Sequence, residues 1–359
     1  MIGSHERVLV TGGAGFIATH FIQHRIANGV ESIASIDKRT YAALPDTSNR
    51  SAQHRSVSGN IGDRGLINGL LREYQPIAII NFAAETHVDR SILFPGDFVQ
   101  SNILGLFNLL EEVREYWKTL PDADRERFRF LQVSTDEVYG SLAPDALPCD
   151  EEARFAPNSP YAASKAAADH LARVYFVTYG LPTVVARCCN NYGPCQYPEK
   201  LIPLMMLRAI AQHQLPIYGD GRQIRDWLYV EDHCAALDLV LASGRAGETY
   251  NISAQEEHIN LEVVLKLCTL LDEFHPRSSG RYADLIRHVT DRPGHDRRYA
   301  LDSGKIRREL GWQPKETFES GLKKTLRWYL SNLGWLQSVT MHKPFSEWLV
   351  LNYGQRGTI

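Results

Sequence analysis

A tyrosine and a lysine four residues apart form the clearest chemical pair in the sequence. They are Tyr161 and Lys165, and Ser159 and Pro160 precede them. On a helix, side chains at this spacing share a face. A free phenol has a pKa of about 10, and a nearby ammonium favours the phenolate. Such a tyrosine can accept a hydroxyl proton while a hydride leaves the same carbon.

A glycine-rich loop near the start of the chain is suited to phosphate binding. The segment TGGAGFIA, residues 11–18, follows an apolar run and opens a helix-like stretch. Read from Gly13, it fits the pattern G-x-G-x-x-G/A with Ala18 at the last position. Glycines at these positions allow a tight turn and a close approach of the backbone to a pyrophosphate at the helix N-terminus.

Asp37 lies about 20 residues beyond this loop, at the end of the second predicted strand. A carboxylate there accepts hydrogen bonds from the adenosine ribose and repels a 2′-phosphate. This favours NAD over NADP, although Lys38 and Arg39 follow directly and could tolerate such a phosphate. Asp37 could also be only a turn residue at a strand end.

These residues need a framework of alternating strands and helices. Apolar runs at residues 8–11, 33–36, 77–82 and 128–133 are separated by helical or polar segments. This alternation predicts a parallel sheet covered on both faces, and the right-handed crossover rule makes it doubly wound. The polar, poorly periodic segment 39–58 is predicted to be a surface loop.

The predicted fold is α/β, a Rossmann-type domain followed by a smaller substrate-binding lobe. We predict that residues 1–187 form the NAD-binding Rossmann domain with the catalytic residues. Residues 188–359, which are richer in turns, are expected to form mostly the lobe, with some segments returning to the sheet.

The composition of the 359-residue chain excludes several classes of protein. It is 44% hydrophobic and 23% charged with a net charge of −3, which argues against a general nucleic-acid binder. No run approaches the roughly 20 apolar residues that cross a bilayer, and the first residues lack a signal-peptide core. A cytoplasmic protein without a membrane partner is predicted. The six cysteines show no paired spacing, so we expect packed thiols and no metal site.

Several further segments carry a resemblance to a known family. They are AAETHVDRS at 83–91, STDEVYG at 134–140, NNYGP at 190–194, EKLIP at 199–203, RDWLYVEDH at 225–233 and DRPGHDRRY at 291–299. With the loop and the Tyr–Lys pair, they occur in the order seen in the extended short-chain dehydrogenase/reductases. Within these, the chain resembles the dTDP-glucose 4,6-dehydratase family, a group of NAD-dependent lyases that act on nucleotide sugars in deoxysugar biosynthesis.

The resemblance implies a role for each of five catalytic residues. Tyr161 takes the O4 proton as hydride leaves C4, and Lys165 holds the nicotinamide ribose and keeps Tyr161 acidic. Thr135 hydrogen-bonds the sugar near O4. Glu137 removes the C5 proton and Asp136 protonates the departing C6 hydroxyl, after which hydride returns to C6. Because Asp136 must then carry a proton, we predict a raised pKa for it.

The resemblance also implies two sets of binding residues. Those expected to bind NAD are Gly12, Gly15, Phe16, Ile17, Asp37, Lys38, Thr40, Asn60, Ile61, Phe82, Ala83, Ala84, Ser101, Tyr161, Lys165 and Asn191. Those expected to bind dTDP-glucose are Thr86, Thr135, Asn190, Glu199, Lys200, Leu201, Pro216, Tyr218, Arg225, Asn260, Arg292 and His295. Arg225 and Arg292 are expected to face the phosphates, where a guanidinium fork suits oxyanions, and Tyr218 is expected to stack on thymine.

Some positions depart from the family pattern. Ala18 replaces a glycine, and Arg39 stands where leucine is common. Asn60 stands where an aspartate is expected to accept from the adenine amino group. Ser253 and Ala254 replace a pair of glycines. These changes affect the expected affinities and leave the chemical residues intact.

The family implies a homodimer that pairs through the helix after Pro95 and the helix carrying Tyr161 and Lys165. Three alternative functions remain at this stage. They are a 4,6-dehydratase acting on another NDP-hexose, an NDP-sugar epimerase, and a non-catalytic NAD-binding protein. Asp136 and Glu137 argue against an epimerase, because epimerisation needs little beyond the tyrosine, the lysine and a hydroxyl residue.

Overall fold

The computed structural model describes residues 7–29, 32–44, 51–340 and 343–356. The strands are β1 Val8–Thr11, β2 Ile33–Asp37, β3 His54–Ser58, β4 Ala78–Asn81, β5 Arg129–Thr135, β6 Thr183–Cys188, β7 Asn190–Tyr192, β8 Leu215–Tyr218, β9 Ile224–Tyr229, β10 Thr249–Ile252, β11 Glu257–Ile259 and β12 Ile286–Val289.

The α-helices follow the same chain order. They are α1 Phe16–Ala27, α2 Arg64–Tyr74, α3 Val88–Leu93, α4 Pro95–Phe98, α5 Leu106–Lys118, α6 Asp122–Arg127, α7 Pro160–Tyr179, α8 Leu201–Ile210, α9 Val230–Ser243, α10 Asn260–Phe274, α11 Gly304–Leu310, α12 Phe318–Ser331, α13 Leu333–Thr340 and α14 Lys343–Tyr353. A π-helix spans Val99–Gly105, and short 3₁₀ helices span Asp136–Tyr139, Tyr282–Leu285 and Gly354–Arg356.

A seven-stranded sheet in the order β10-β6-β5-β4-β1-β2-β3 forms the centre of the fold. All its strand pairs are parallel. The inner strands are apolar and closed off from solvent on both faces, as in β1, where Val8, Leu9 and Val10 are fully buried. The predicted doubly wound parallel sheet is confirmed. Its strand order reverses between β1 and β4, where such sheets bind ligands at their carboxyl ends.

The prediction of a surface loop over 39–58 is wrong for its last part, because residues 54–58 form β3 at the edge of the sheet. An edge strand pairs on one side only, so it needs no continuous apolar run. His54 is instead anchored through its ring nitrogen, 2.8 Å from the Ser35 hydroxyl. Residues 45–50 of the predicted loop lie outside the described residues.

The later part of the chain builds two small sheets, β11-β9-β7 and β12-β8. Their core includes Trp227, Tyr229 and Met206, packed with α8, α10 and α12. Strand β10 returns to the large sheet and pairs with β6, and α9 packs on α1. The division of the chain at residue 188 stays a prediction.

The described residues show whether a membrane-spanning helix or a group of metal-binding side chains is present. No helix among them is long and apolar enough to cross a membrane. No group of three or more histidine, cysteine or acidic side chains among them is placed to hold a metal ion. Cys188, Cys189, Cys234 and Cys268 are buried thiols, as expected of small apolar side chains.

Candidate active site

The glycine-rich loop connects β1 to α1 and lies against the end of β4. Gly12 has a φ of +67°, and a Cβ atom there would lie 2.7 Å from the backbone nitrogen of Ala83. Only glycine combines this left-handed backbone with so close an approach. Ala18, at the last motif position, is fully buried, so its methyl group is accommodated where helix and strand pack together.

Asp37 is held at the mouth of this loop by two backbone amides. Its Oδ2 accepts from the Ala14 N–H at 3.1 Å, and its Oδ1 accepts from the Arg39 N–H at 2.6 Å. The two following cations have partners of their own. Lys38 Nζ lies 2.7 Å from Glu85, and an Arg39 Nη donates to the Ser56 hydroxyl at 2.9 Å.

Every residue predicted to bind the cofactor lines one cleft that runs from the glycine loop to α7. The same cleft also contains Thr135, Asp136 and Glu137. Asn60 lies at its far end, where its Oδ1 accepts from the Gly62 N–H at 2.8 Å. The tertiary structure therefore brings together residues from eight separate segments of the sequence.

Tyr161 and Lys165 lie on the first turns of α7, which Ser159 caps by accepting from the Ala162 N–H at 3.0 Å. Both side chains are buried. Lys165 Nζ donates to the Val133 carbonyl at 2.6 Å, and burial lowers its pKa against the opposing effect of Asp169.

Lys165 is not among the main influences on the pKa of Tyr161 in this arrangement, and its role in keeping Tyr161 acidic stays a prediction. Burial raises the pKa of Tyr161 well above its ordinary value, and the nearby Glu137 carboxylate adds to the rise. A hydrogen bond with Thr135 lowers the pKa of Tyr161, but desolvation is the larger effect. The reason is physical, because a low-dielectric site disfavours the charged phenolate.

Asp136 and Glu137 begin the 3₁₀ helix directly after β5. The Thr135 hydroxyl links them, since it donates to Asp136 Oδ1 at 3.1 Å and accepts from the Glu137 N–H at 3.3 Å. Burial, and then the charge of Glu137, raises the pKa of Asp136 well above its usual range. The predicted direction for Asp136 is confirmed.

Burial also raises the pKa of Glu137, but three cations oppose it, namely Arg292, Arg225 and Lys200. Among the main influences on the pKa of Asp136, Arg225 is the cation that lowers it. The two carboxyl groups therefore differ in environment. That difference favours a protonated Asp136 beside an ionised Glu137, which is the pairing needed for an acid and a base.

A second chamber opens from this point. It is lined by the predicted substrate residues Thr86, Asn190, Glu199, Lys200, Leu201, Pro216, Tyr218, Arg225, Asn260, Arg292 and His295, and by Glu137. Glu137, Thr86, Asn190, Glu199 and Lys200 line both the cleft and the chamber. The carboxyl pair thus lies where the two spaces meet.

Buried polar atoms without a hydrogen-bond partner collect around this junction. They include Asp136 Oδ2, Asn190 Oδ1, Asn260 Oδ1 and Arg292 Nε. Leaving such an atom unpaired costs about 1–3 kcal/mol, so their convergence fits a polar ligand. Arg225 differs from Arg292, because it donates to the Asp296 carbonyl at 2.9 Å and stacks on the Tyr299 ring.

Some residues of the site were not predicted from the sequence. Gln223 Oε1 and Trp227 Nε1 are buried without a partner, and both residues line the chamber. Their place within and beside the segment 225–233 could have drawn attention to them. Tyr353 also lines the chamber, and no motif in the C-terminal tail indicates this.

Asn102, in the π-helix, is another residue that sequence reasoning missed. Its amide bonds both backbone groups of Glu85, accepting from the N–H at 2.8 Å and donating to the carbonyl at 3.0 Å. It also donates to the Ser164 hydroxyl at 2.8 Å. Asn102 therefore fixes the loop after β4 relative to α7, and π-helical turns are frequent at functional sites.

Comparison with known proteins places this geometry among nucleotide-sugar enzymes. The family model described as GDP-mannose 4,6 dehydratase matches residues 9–325. The dTDP-glucose 4,6-dehydratase of Xanthomonas campestris pv. campestris (strain B100) is 53% identical over 335 residues, covering 92% of this chain and 95% of the relative. That of Salmonella typhimurium is 50% identical over 362 residues, covering 98% and 99%.

Solved structures agree with these relatives. DesIV, a dTDP-glucose 4,6-dehydratase from Streptomyces venezuelae crystallised with NAD, is 43% identical with a TM-score of 0.83, covering 93% of this chain and 99% of that one. A UDP-glucose 4-epimerase from Thermotoga maritima is 27% identical with a TM-score of 0.79, covering 91% and 99%. The family resemblance inferred from the sequence motifs is confirmed.

Proposed function

The chain belongs to the dTDP-glucose 4,6-dehydratase family, and from that membership we propose how its own residues convert dTDP-glucose to dTDP-4-keto-6-deoxyglucose and water. It is an NAD-dependent lyase. The observation that carries the residue assignments is the pair formed by the buried Asp136 and the half-buried Glu137 beside Tyr161, at the junction of the cleft and a polar chamber.

The residues of the cleft fit NAD. Gly12 leaves a backbone cradle that a single Cβ atom would fill, and Asp37 presents a carboxylate where an adenosine ribose is bound in such folds. Lys165 and Asn191 line the opposite end. When bound, NAD accepts the hydride that leaves C4 of the sugar and supplies the hydride that reaches C6.

Tyr161 accepts the proton of the sugar O4 hydroxyl as C4 becomes a ketone. Its raised pKa means that it needs added positive charge to do so at neutral pH. Lys165, one helical turn away on the same face, is the chain's own source of that charge. Thr135 bonds to Tyr161 and orients the same hydroxyl.

The elimination step divides between the two carboxyl groups. The C4 ketone acidifies the C5 hydrogen, and Glu137 takes that proton. As the C5–H electrons form the C5–C6 double bond, the C6–O bond breaks and Asp136 donates its proton, so the hydroxyl leaves as water. Hydride addition at C6 and return of the proton to C5 complete the 4-keto-6-deoxy sugar.

Further residues hold the substrate. Arg225 and Arg292 bind the diphosphate, Lys200 and Asn190 bind the sugar end, and Tyr218 stacks on the base. The unpartnered Nε of Arg292 supports its part in this assignment, whereas Arg225 already has two carbonyl partners and must rearrange or act through its charge.

A homodimer is also proposed. The helices after Pro95 and after Pro160 expose large apolar side chains, among them Val99 at 46%, Leu104 at 44% and Val177 at 64%. Side chains of this kind are typical of a surface covered by a partner. A monomeric mass on light scattering would refute the dimer. We further propose that the enzyme works in the cytoplasm, which the buried thiols support.

The function is tested by incubating purified protein, without added NAD, with a panel of nucleotide hexoses. Mass spectrometry should show a product lighter by one water from dTDP-glucose. With deuterium at C4 of the sugar, the label should appear at C6 of the product. A product of unchanged mass would indicate an epimerase, and a water loss from another nucleotide hexose alone would change the proposed substrate.

A further inference from the structure

The C-terminal segment, residues 343–356, packs against the far end of the substrate chamber. Tyr353, the last residue of α14, is 5% exposed and lines the chamber together with Tyr218 and His295. The Tyr353 and Tyr218 ring centroids lie 5.9 Å apart. The matching family model ends at residue 325, so it assigns no role to this segment.

Two tail residues hold the Tyr218 ring in place. Asn352 Nδ2 donates to the Tyr218 hydroxyl at 2.7 Å, and the Arg356 guanidinium lies over the ring, 4.8 Å from its centroid. Arg356 is itself fixed, since it donates to the Asn352 carbonyl at 3.0 Å and to the Thr290 carbonyl at 3.1 Å. The guanidinium covers one face of the ring, so a base can stack only on the other.

A buried carboxylate connects the tail to the proposed phosphate site. Asp89 is 6% exposed and lies between two guanidinium groups. Its Oδ2 is 3.6 Å from Arg292, and its Oδ1 is 3.8 Å from Arg356. Asp89 Oδ1 has no hydrogen-bond partner. Removal of Arg356 would therefore leave Arg292 as the main counter-charge of Asp89 and draw it towards that carboxylate.

We propose that Asn352 and Arg356 set the specificity for the pyrimidine base of the substrate by fixing the Tyr218 ring. Tyr353 forms a wall of the base pocket, while Asn352 and Arg356 are positioning residues that act through Tyr218. This inference rests on the proposed function and deepens it, because it names which part of the chain recognises the base. It follows that the tail contributes to substrate binding and leaves the chemical steps to Tyr161 and the carboxyl pair.

The first test is the variant Arg356→Ala. The KM for dTDP-glucose should rise roughly tenfold, equivalent to about 1.4 kcal/mol, while kcat stays within about twofold because no reacting atom is touched. Arg356→Lys keeps the cation and should recover part of the affinity. The matched control is Arg327→Ala, which removes an exposed guanidinium lying 5.3 Å from the Phe274 ring centroid, far from the chamber, and should leave KM unchanged.

The second test measures base discrimination through the inhibition constants of dTDP and dGDP, which share the deoxyribose and the diphosphate and differ only in the base. Their ratio should fall towards one in Arg356→Ala and in Asn352→Leu. Leucine is similar in size to asparagine, so Asn352→Leu removes the hydrogen bond to Tyr218 and keeps the volume of the side chain. A merely structural defect lowers the active fraction and leaves both KM and this ratio unchanged. An unaltered KM and ratio in both variants of an active enzyme would overturn the inference. A wild-type protein that converts no dTDP-glucose would instead refute the proposed function.

Discussion

Replacing Asp136 by asparagine should separate its chemical role from its effect on stability. Asp136 is 3% exposed, and burial beside Glu137 raises its pKa well above its usual range. The folded protein therefore binds this proton more tightly than the unfolded chain does. The resulting stability is present below the unfolded pKa of about 3.9 and is lost as the pH rises towards the folded pKa. Asparagine stays neutral throughout.

Two magnitudes follow from this. Loss of the proton donor should lower kcat by about 10²- to 10⁴-fold, which corresponds to about 2.7–5.5 kcal/mol of transition-state stabilisation. The second magnitude concerns the free energy of unfolding of the wild-type protein, which should fall as the pH rises, whereas the asparagine variant lacks this loss. Its difference, Asp136→Asn minus wild type, should grow as the pH rises, by about 1.4 kcal/mol for each unit that separates the folded and unfolded pKa values.

The assay combines denaturant unfolding at a series of pH values between about 4 and 8, above the pKa of an aspartate in an unfolded chain, with single-turnover kinetics. With Asp136→Asn, oxidation at C4 should still occur, so the near-ultraviolet absorbance of reduced nicotinamide should build up while water loss is slow. The matched control is Asp63→Asn, at an exposed N-cap where either residue serves. It should leave kcat unchanged, because Asp63 lines neither the cleft nor the chamber.

Two results would refute this reasoning about Asp136. The first is a wild-type kcat in Asp136→Asn, since the group would then donate no essential proton. The second is a stability difference that stays constant with pH, since the carboxyl group would then carry no raised pKa in the folded protein. A constant offset alone, of about 1–3 kcal/mol, would report only the unmade hydrogen bonds of the amide.

Three further predictions concern the cofactor cleft. Gly12→Ala should destabilise the fold by at least about 1–2 kcal/mol from the left-handed backbone alone, with a further clash against Ala83, and should lower the NAD content of the purified protein. Gly69→Ala, where a Cβ meets nothing within 4 Å, should be neutral or stabilising. Asn60→Asp should slow NAD release about three- to tenfold, because hydrogen bonds to charged groups are stronger by about 1 kcal/mol; an unchanged release rate would contradict this. Tyr161→Phe should lower kcat, normalised to the NAD content of the purified protein, by about 10²- to 10⁴-fold.

Local sequence was sufficient for the features that depend on neighbouring residues. The apolar runs predicted β1, β2, β4 and β5, because inner parallel strands must be apolar on both faces. The glycine loop and Asp37 predicted where the pyrophosphate and the adenosine ribose bind, each at the end of a strand. The spacing of Tyr161 and Lys165 predicted their shared helical face, and the proton-donor role that the resemblance implies for Asp136 predicted its raised pKa.

Tertiary structure decided what depends on partners far along the chain. Strand β3 was missed, because an edge strand can be polar. The pKa of Tyr161 is set by burial and by Glu137, which the position of Lys165 one turn away could not reveal. Asn352 and Tyr218 are 134 positions apart in the sequence, so no local pattern could predict their contact. Burial and electrostatic fields are sums over the whole fold, and only the folded chain determines them.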